Sequence, residues 1–210
     1  MLLQLLRGLP WTLALTLSTF AVGSLLGLPL MLARVSRLLA LRLLAGMLFT
    51  VVRAIPPLVW LFIVFFGIGF GLIPMSAFTA CLVAFGLIAA VNMAEIYRGG
   101  LIAIHFGQME AAHALNLGLF HAFRDVVAPQ MLRVALPATA TFTIGLFKDS
   151  AIASTIGIQD LVFHASYLSQ STFQSLKVYG LVGAIYIAVS LPVAWLSRSL
   201  DARIRRAVSR

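Results

Sequence analysis

Long apolar stretches separated by short polar connections dominate the pattern of this chain. A helix that crosses the hydrocarbon of a bilayer needs about 20 largely apolar residues, and stretches of that length predict five membrane-spanning helices. Their predicted bounds are 11–33, 48–70, 76–97, 135–157 and 177–197. In the fourth stretch, Lys148 and Asp149 interrupt the apolar pattern. The pattern therefore predicts an all-α integral membrane protein that forms a single domain over residues 1–210.

The composition supports a membrane location. Of the 210 residues, 61% are hydrophobic and 10% are charged, whereas a soluble domain carries about 25% charged residues. The single cysteine, Cys81, excludes an intrachain disulfide and a cysteine-based metal site. The net charge of +9 is spread between the apolar stretches without interleaved aromatic residues. We therefore assign this charge to membrane topology and expect no nucleic-acid partner.

The distribution of Lys and Arg predicts the orientation of the chain. With the N-terminus outside, the arginines on inner segments are Arg34, Arg37, Arg42, Arg98, Arg124, Arg133, Arg198, Arg203, Arg205, Arg206 and Arg210. Only Arg7 and Lys177 fall on outer segments. The positive-inside rule therefore predicts an outside N-terminus and a cytoplasmic C-terminus. The connection 98–134 is then expected to face the cytoplasm. The first stretch is too long for a signal peptide, so we expect it to remain as an uncleaved anchor.

Residues 108–118, within this cytoplasmic connection, have the composition of a short helix. Glu110 lies in its first turn, where the helix dipole favours a carboxylate. Gly118 is predicted to be the left-handed residue that ends the helix. Ala111 and Ala112 carry so little bulk that another surface can approach the backbone closely. The stretch predicts either a docking helix for a partner or an ordinary amphipathic helix in a loop.

Several motifs, in the same order along the chain, match a known family. They are Ala94-Glu95-Ile96-Tyr97-Arg98-Gly99-Gly100, then Glu110-Ala111-Ala112 with Gly118, then Pro129-Gln130 with Arg133 and Leu136-Pro137, and finally Leu146-Phe147-Lys148-Asp149-Ser150 with Ala153-Ser154 and Ile156-Gly157. Together they resemble the permease subunits of bacterial ABC importers, in the branch for polar amino acids such as histidine, glutamate, glutamine, arginine and opines. One departure is the segment Arg53-Ala54-Ile55-Pro56-Pro57, where many relatives carry Arg-Gly-Thr-Pro. Because the arginine and a proline remain, we expect the local bend to be kept.

The resemblance implies a type I ABC importer permease with five transmembrane helices, located in the inner membrane. It implies a dimer with an identical or paralogous permease, two copies of an ATP-binding cassette subunit, and a periplasmic substrate-binding protein. Carried over by position, Glu110, Ala111, Ala112 and Gly118 form the coupling helix that docks on the ATPase. The chain contains no Walker A pattern. We therefore expect this chain to be no enzyme and to bind no cofactor, with ATP and Mg held by the partner ATPase.

Asp149 is the first candidate for the substrate path. Ionisable side chains within the membrane usually face a bundle interior or a water-filled cavity. If the fourth helix begins near Pro137, Asp149 lies about 18 Å along it, near mid-membrane. A carboxylate there can pair with the α-amino group of an amino acid. The alternative is a structural ion pair, which Lys148 serves poorly because adjacent helical residues point about 100° apart.

Asn92 and Glu95 are the other candidates for the substrate path. They lie three residues apart, so they share a face of the third helix and can point at one cavity. The alternative for Glu95 is a structural pair with Arg98. Weaker candidates are the hydroxyl residues, which in membrane helices more often bond the backbone: Thr141, Thr143, Ser150 and Ser154. The recurring histidines have poor spacing for one helical face, so we expect no metal site: His105, His113 and His121.

The sequence therefore predicts a permease subunit of an ATP-driven importer that moves a polar amino acid or an opine-like derivative by alternating access. A methionine-type permease is a related alternative. The alternative from another class is a stand-alone secondary transporter or channel driven by an ion gradient, against which the lack of an internal repeat argues. Residues 158–176 are expected to face outward, available to a binding protein or simply solvated. The basic tail 198–206 is expected to anchor to anionic membrane lipid.

Overall fold

The computed structural model describes the backbone of residues 1–71 and 73–208, and within those ranges the side chains up to residue 199. All regular elements of the described part are helical, which confirms the predicted all-α class. The α-helices are α1 (Leu2–Leu6), α2 (Leu9–Arg34), α3 (Leu39–Ala54), α4 (Pro57–Phe62), α5 (Gly69–Gly71), α6 (Ala77–Ile102), α7 (Gly107–Ala114), α8 (Leu119–His121), α9 (Ala128–Asp149), α10 (Leu161–Thr172) and α11 (Ser175–Val208). Two π-helical turns, Ile63–Ile68 and Ala122–Val127, and the 3₁₀-helix Ser150–Ile156 link them.

Three helices in the described ranges are long and apolar enough to cross a membrane. They are α1 and α2 taken together (Leu2–Arg34), α6 (Ala77–Ile102) and the part of α11 from Ser175 to Ser199. A fourth is added if α3 and the segment Pro57–Gly71, which is bent from it, count as one span. The predicted span at 135–157 does not reach the same hydropathy, because charged residues and threonines interrupt α9. The predicted number of five spans is therefore not confirmed by length and composition.

The predicted second span, 48–70, is broken rather than straight. Helix α3 ends at Ala54, and the helical segment that begins at Pro57 is bent from it by 101°. Proline restrains the residue before it to extended backbone, and Ile55 has φ −99° and ψ 128°. Pro57 then opens α4, where its missing N–H costs nothing. The bend expected at Arg53–Pro57 is confirmed, and a single helix over 48–70 is wrong.

Helix α9 begins at Ala128, well before the position near Pro137 that the sequence interpretation assumed. Pro129 occupies the first turn, where proline is tolerated, and Pro137 lies inside the helix. Asp149 is the last residue of α9, after which the chain tightens into the 3₁₀-helix that ends at Gly157 with φ 90°. The estimate that placed Asp149 from a start at Pro137 was therefore wrong.

Close packing of α2 against α6 forms the centre of the molecule. A Cβ atom at Gly23 would collide with Ala89, and one at Gly27 would lie 2.8 Å from Met93 Cβ. Small residues four apart allow two membrane helices to approach at the backbone. Because both glycines face α6, the contact depends on their lack of side chains.

Helices α1 and α10 pack together at one end of the molecule, so 158–176 is not a simple solvated loop. Leu5 of α1 and Leu161 of α10 are fully buried, in one cluster with Val178 of α11. The backbone N–H of Leu161 donates to Thr12 Oγ1 at 3.2 Å. A Cβ atom at Gly8 would overlap the backbone of Asp160. These contacts hold the α10 segment against the start of α2.

Helix α11 leaves most of its apolar surface uncovered. In its most apolar stretch of 18 residues, only 11% is buried within the chain, against 56% in the corresponding stretch of α6. Since α11 is long enough to cross a membrane, this surface is available to lipid or to another subunit.

Candidate functional site

Helix α7, Gly107–Ala114, contains the Glu-Ala-Ala motif and projects from the connection between α6 and α9. That connection spans 103–127 in the structure, within the predicted 98–134. Glu110 lies in the first turn of α7, as predicted, and Glu110 and Ala111 are exposed. Ala112 is 2% exposed and faces the rest of the chain. The motif thus presents Glu110 and Ala111 outward while Ala112 fixes α7 to the molecule.

The residue that ends α7 is Asn116, not Gly118. Asn116 has φ 55°, its N–H donates to His113 O at 2.9 Å, and Leu117 N–H donates to Ala112 O at 3.0 Å. This is a Schellman motif, in which asparagine can replace the usual glycine. Gly118 has φ −62° and ψ 151°, which any residue adopts, and it precedes α8. The predicted left-handed role of Gly118 is therefore wrong.

Gly118 also has no steric reason within this chain to lack a side chain. A Cβ atom there would meet nothing within 4 Å. Large apolar side chains of the same connection are exposed by about 70% of their surface: Phe106, Leu115, Leu119 and Phe120. An exposed apolar patch on one side of a protein marks an interaction surface. We call this patch, with Glu110 and Gly118, the α7 surface.

The α7 surface is joined to α9 by glutamine side chains. Gln130 Nε2 donates to Gln108 Oε1 at 3.1 Å and to Val126 O at 2.9 Å. Gln130 lies in the first turn of α9, directly after Pro129. A side-chain hydrogen bond thus links α7 to the start of α9, the helix that ends at Asp149.

Glu95 lies in a cluster of charges at the end of α6. Its Oε2 accepts hydrogen bonds from Arg98 Nε at 3.0 Å and Arg98 Nη2 at 2.6 Å. Its Oε1 lies 3.7 Å from Arg34 Nε, at the end of α2. The alternative that Arg98 holds Glu95 in a structural pair is thus observed. Glu95 cross-links α6 to α2 as well.

Asn92 is hydrogen-bonded to a side chain of α3. Its Oδ1 accepts from Arg53 Nη2 at 3.2 Å, and its Nδ2 donates to Ile88 O at 2.9 Å. Arg53 is the last basic residue of α3, just before the bend. Asn92 and Glu95 therefore share a face, as predicted, and that face meets two arginines from other helices.

Asp149 is not part of this cluster. It is exposed at the end of α9, and no described hydrogen bond or ion pair joins it to Lys148 or to Asn92. A carboxylate at a helix C-terminus opposes the helix dipole. Among the described residues, no polar partner holds the Asp149 carboxylate.

The hydroxyl residues named as weaker candidates bond to the backbone. The hydroxyls of Thr141, Thr143, Ser150 and Ser154 each donate to a backbone carbonyl earlier in the chain, at 2.7 to 3.1 Å. Within the described ranges, no group of three or more His, Cys, Asp or Glu side chains is placed to hold a metal ion. The basic tail 198–206 lies mostly outside the described side chains.

Sequence reasoning missed Arg34 and Arg53 as partners of the candidate residues. The sequence assigned Arg34 to an inner segment and Arg53 to the second span, and pairing across helices requires the fold. It also missed the Gly23 and Gly27 pair, although a Gly-x-x-x-Gly spacing in an apolar helix is a known signal of close packing.

These features describe an all-helical membrane permease with exposed apolar side chains on the connection between α6 and α9. Residues 20–206 match the family described as binding-protein-dependent transport system inner membrane component. The chain belongs to this family, and the resemblance predicted from its motifs is confirmed.

Individual relatives support the same assignment. The chain is 35% identical over 184 residues to the "Probable amino-acid ABC transporter permease protein YckA" of Bacillus subtilis (strain 168), covering 88% of this chain and 81% of that one. It is 34% identical over 206 residues to the octopine transport system permease protein OccM of Rhizobium radiobacter, covering 94% and 84%. It is 34% identical over 205 residues to the L-cystine transport system permease protein TcyL of Bacillus subtilis (strain 168), covering 94% and 86%.

Two solved structures share the fold. The crystal structure of an amino acid ABC transporter with histidines contains a chain that superposes with a TM-score of 0.86 at 33% identity, covering 95% of this chain and 94% of that one. The MetNI methionine ABC transporter, in an inward-facing conformation, has a TM-score of 0.72 at 23% identity, covering 98% and 96%. At that identity the second likeness concerns the fold alone.

Proposed function

We propose that this chain is the permease subunit of an ATP-driven importer in the bacterial inner membrane. The observation that carries the proposal is the α7 surface. Glu110, Ala111 and Gly118 are exposed there beside apolar side chains that the chain does not cover, and Gly118 lacks a side chain that its own backbone would permit. Such a surface suits a partner that approaches the backbone closely. The partner is the ATP-binding cassette subunit, two copies of which hold ATP and Mg.

The transport step is alternating access. Closure of two ATPase subunits on ATP pulls on α7, and the Gln108–Gln130 contact passes the movement to α9. Two permease subunits, identical or paralogous, then rock about a shared path. The chain crosses the membrane five times in this proposal, with α9 and its 3₁₀ extension as the fourth crossing, the N-terminus outside and the C-terminus in the cytoplasm.

The substrate is a polar amino acid or an opine-like derivative, delivered by a periplasmic binding protein. The relatives named above for amino acids, octopine and L-cystine support this class. Asp149 is the residue proposed to meet the α-amino group, since its carboxylate is exposed and free of described partners. Asn92 and Glu95 are held by arginines, so we assign them to the wall of the path near its cytoplasmic end.

The experiment that tests this function is isolation of the tagged chain from its native membrane in a mild detergent, followed by mass spectrometry. We expect a stoichiometric ATP-binding cassette subunit and two permease subunits for each complex. Recovery of the chain alone, in a detergent that preserves complexes, would instead support a transporter driven by an ion gradient.

A further inference from the structure

A basic cleft lies between the end of α2 and the start of α3, outside the α7 surface and away from Asp149. It has a volume of about 470 Å³. Arg34 lines one wall, and Arg42, Gly46 and Thr50 line the other at a spacing of four residues. A Cβ atom at Gly46 would lie 3.5 Å from Arg34 Nη1, so the guanidinium group reaches into the cleft.

The chain balances the positive charge of this cleft only in part. Arg34 Nε is buried and makes no hydrogen bond within the described residues. Its nearest carboxylate, Glu95, is 3.7 Å away and is bound more closely by Arg98. Arg42 has no ion pair among the described side chains. Two guanidinium groups that face one cleft with so little counter-charge favour an anion between them, because arginine binds phosphate oxygens well.

An apolar ridge continues from the cleft along α3. Leu39, Leu43, Met47 and Val51 follow one another at a spacing of four, and each is more than half exposed. Val51 lies nine residues beyond Arg42, which is about 14 Å along the helix. In the orientation proposed above, α3 begins at the cytoplasmic side, so the ridge runs from the arginines towards the centre of the bilayer.

We propose that the cleft binds an anionic phospholipid of the inner leaflet. Its phosphate lies between Arg34 and Arg42, and an acyl chain follows the ridge through Leu43 and Met47. Basic pockets between membrane helices on the cytoplasmic side bind such headgroups. A free phosphate would use the arginines only, whereas a lipid uses both the charge and the ridge. The inference rests on the orientation given under the proposed function.

The test is native mass spectrometry of the complete assembly, purified in detergent, stripped of lipid and titrated with phosphatidylglycerol or phosphatidylcholine. We expect phosphatidylglycerol to bind and phosphatidylcholine to bind at least about fivefold more weakly, since one arginine near the surface contributes about that factor. Arg42→Gln is expected to weaken the binding of phosphatidylglycerol by about the same factor. Arg37→Gln removes an exposed charge from the same connection without lining the cleft, and it is expected to leave binding unchanged.

Four results would overturn the proposal. Two are equal binding of the two lipids and an equal effect of Arg42→Gln and Arg37→Gln. Another is complete displacement of the lipid by glycerophosphoglycerol, which has the headgroup without chains and would indicate a free-phosphate site. The fourth is an efficient cross-link between two copies through Met47→Cys, which would make the cleft a subunit interface. Retention of the ATPase is read in the same spectra, so failure of the proposed function is seen separately.

Discussion

Asp160 is a buried carboxylate directly before α10. Its Oδ1 accepts from Phe163 N–H at 2.8 Å and caps the helix, while its Oδ2 is buried without a described partner. Burial raises the pKa of Asp160 from 3.8 to about 6, against the opposing effect of the backbone N–H donors. The ionised carboxylate is therefore unfavourable in the folded protein.

This shift predicts a pH dependence of stability. Since the folded pKa is the higher one, the folded state binds the extra proton, and stability falls as the pH rises from about 4 through 6. The cost above pH 7 is about 3 kcal/mol. Asp160→Asn keeps the capping oxygen and removes the charge. We expect a higher thermal midpoint than wild type at pH 7.5, with the difference shrinking at pH 5, measured by thermal unfolding in detergent.

Asp125→Asn is the matched control for this measurement. Asp125 is 57% exposed and lies 3.8 Å from Arg124, and exposed pairs of this kind contribute little. The midpoint of that variant is expected to equal that of wild type at both pH values. A lower midpoint for Asp160→Asn than for wild type at pH 7.5 would show that the ionised carboxylate is stabilising.

Asp149 carries the prediction for substrate recognition. Asp149→Asn removes the charge of an exposed side chain, so the thermal midpoint and the composition of the complex are expected to stay unchanged. Substrate affinity is expected to fall by about tenfold or more, because a hydrogen bond to a charged group contributes about 1.5–3 kcal/mol. The measurement is substrate binding to the reconstituted complex at increasing concentration.

Thr155→Val serves as the control for Asp149, since the hydroxyl of Thr155 already donates to Ile152 O at 2.7 Å. Its affinity is expected to match wild type. If Asp149→Asn dissociates the complex or unfolds the chain, the residue is structural.

At the scale of single residues, local spacing predicted contacts between side chains of one helix but not contacts between helices. The Glu95–Arg98 pair follows from a separation of three residues, and it is present. The Arg53–Asn92 contact joins residues 39 positions apart, so it needs the arrangement of α3 against α6. Gly118 and Asn116 show a different limit: both residues suit a left-handed end of a helix, and only the hydrogen bonds of α7 select between them.

At the scale of elements, the bend after α3 depends on a side chain that the sequence did not indicate. Trp60 Nε1 donates to Val52 O at 3.1 Å, across the two prolines. Val52 is 2% exposed, and the last carbonyls of a helix have no partner within it. The prolines predicted that the helix breaks, but they did not predict the angle, which the tryptophan helps to fix.

Trp60→Phe tests this function of the indole. It leaves the Val52 carbonyl buried without a donor, so we expect the free energy of unfolding to fall by about 1–3 kcal/mol. The measurement is thermal or denaturant unfolding in detergent. Trp11→Phe is the matched control, because Trp11 is 47% exposed and packs on Phe78 only through its ring. Equal losses for the two variants would mean that ring volume, and not the hydrogen bond, stabilises the bend.

At the scale of the whole molecule, apolar length predicted the positions of α2, α6 and α11 to within a few residues at most ends. It misjudged α3 and α9, because proline breaks one and is tolerated inside the other. The exposed faces of α3 and α11 are too apolar to be the surfaces that a single chain presents to water. In the proposed complex, membrane lipid covers the exposed face of α3, and lipid or a second permease subunit covers that of α11.

In the proposed mechanism α7 transmits the work of ATP to the permease, and Gly118→Val is the variant that tests this role. The backbone of Gly118 and the open space around it permit valine within this chain, so folding is expected to be unaffected. In a close interface the added methyl groups cost about 1–3 kcal/mol, which corresponds to a loss of about fivefold to about 160-fold in coupling. Gly99→Val is the control, since Gly99 lies in similarly open space at the end of α6.

The measurement is ATP-driven uptake by proteoliposomes that contain the complete complex and the substrate-loaded binding protein. If α7 is the coupling helix, we expect Gly118→Val to lose uptake and Gly99→Val to retain it, with equal thermal midpoints for both chains. Full uptake by Gly118→Val at an unchanged ratio of ATP hydrolysed to substrate transported would contradict the assignment of α7 as the coupling helix.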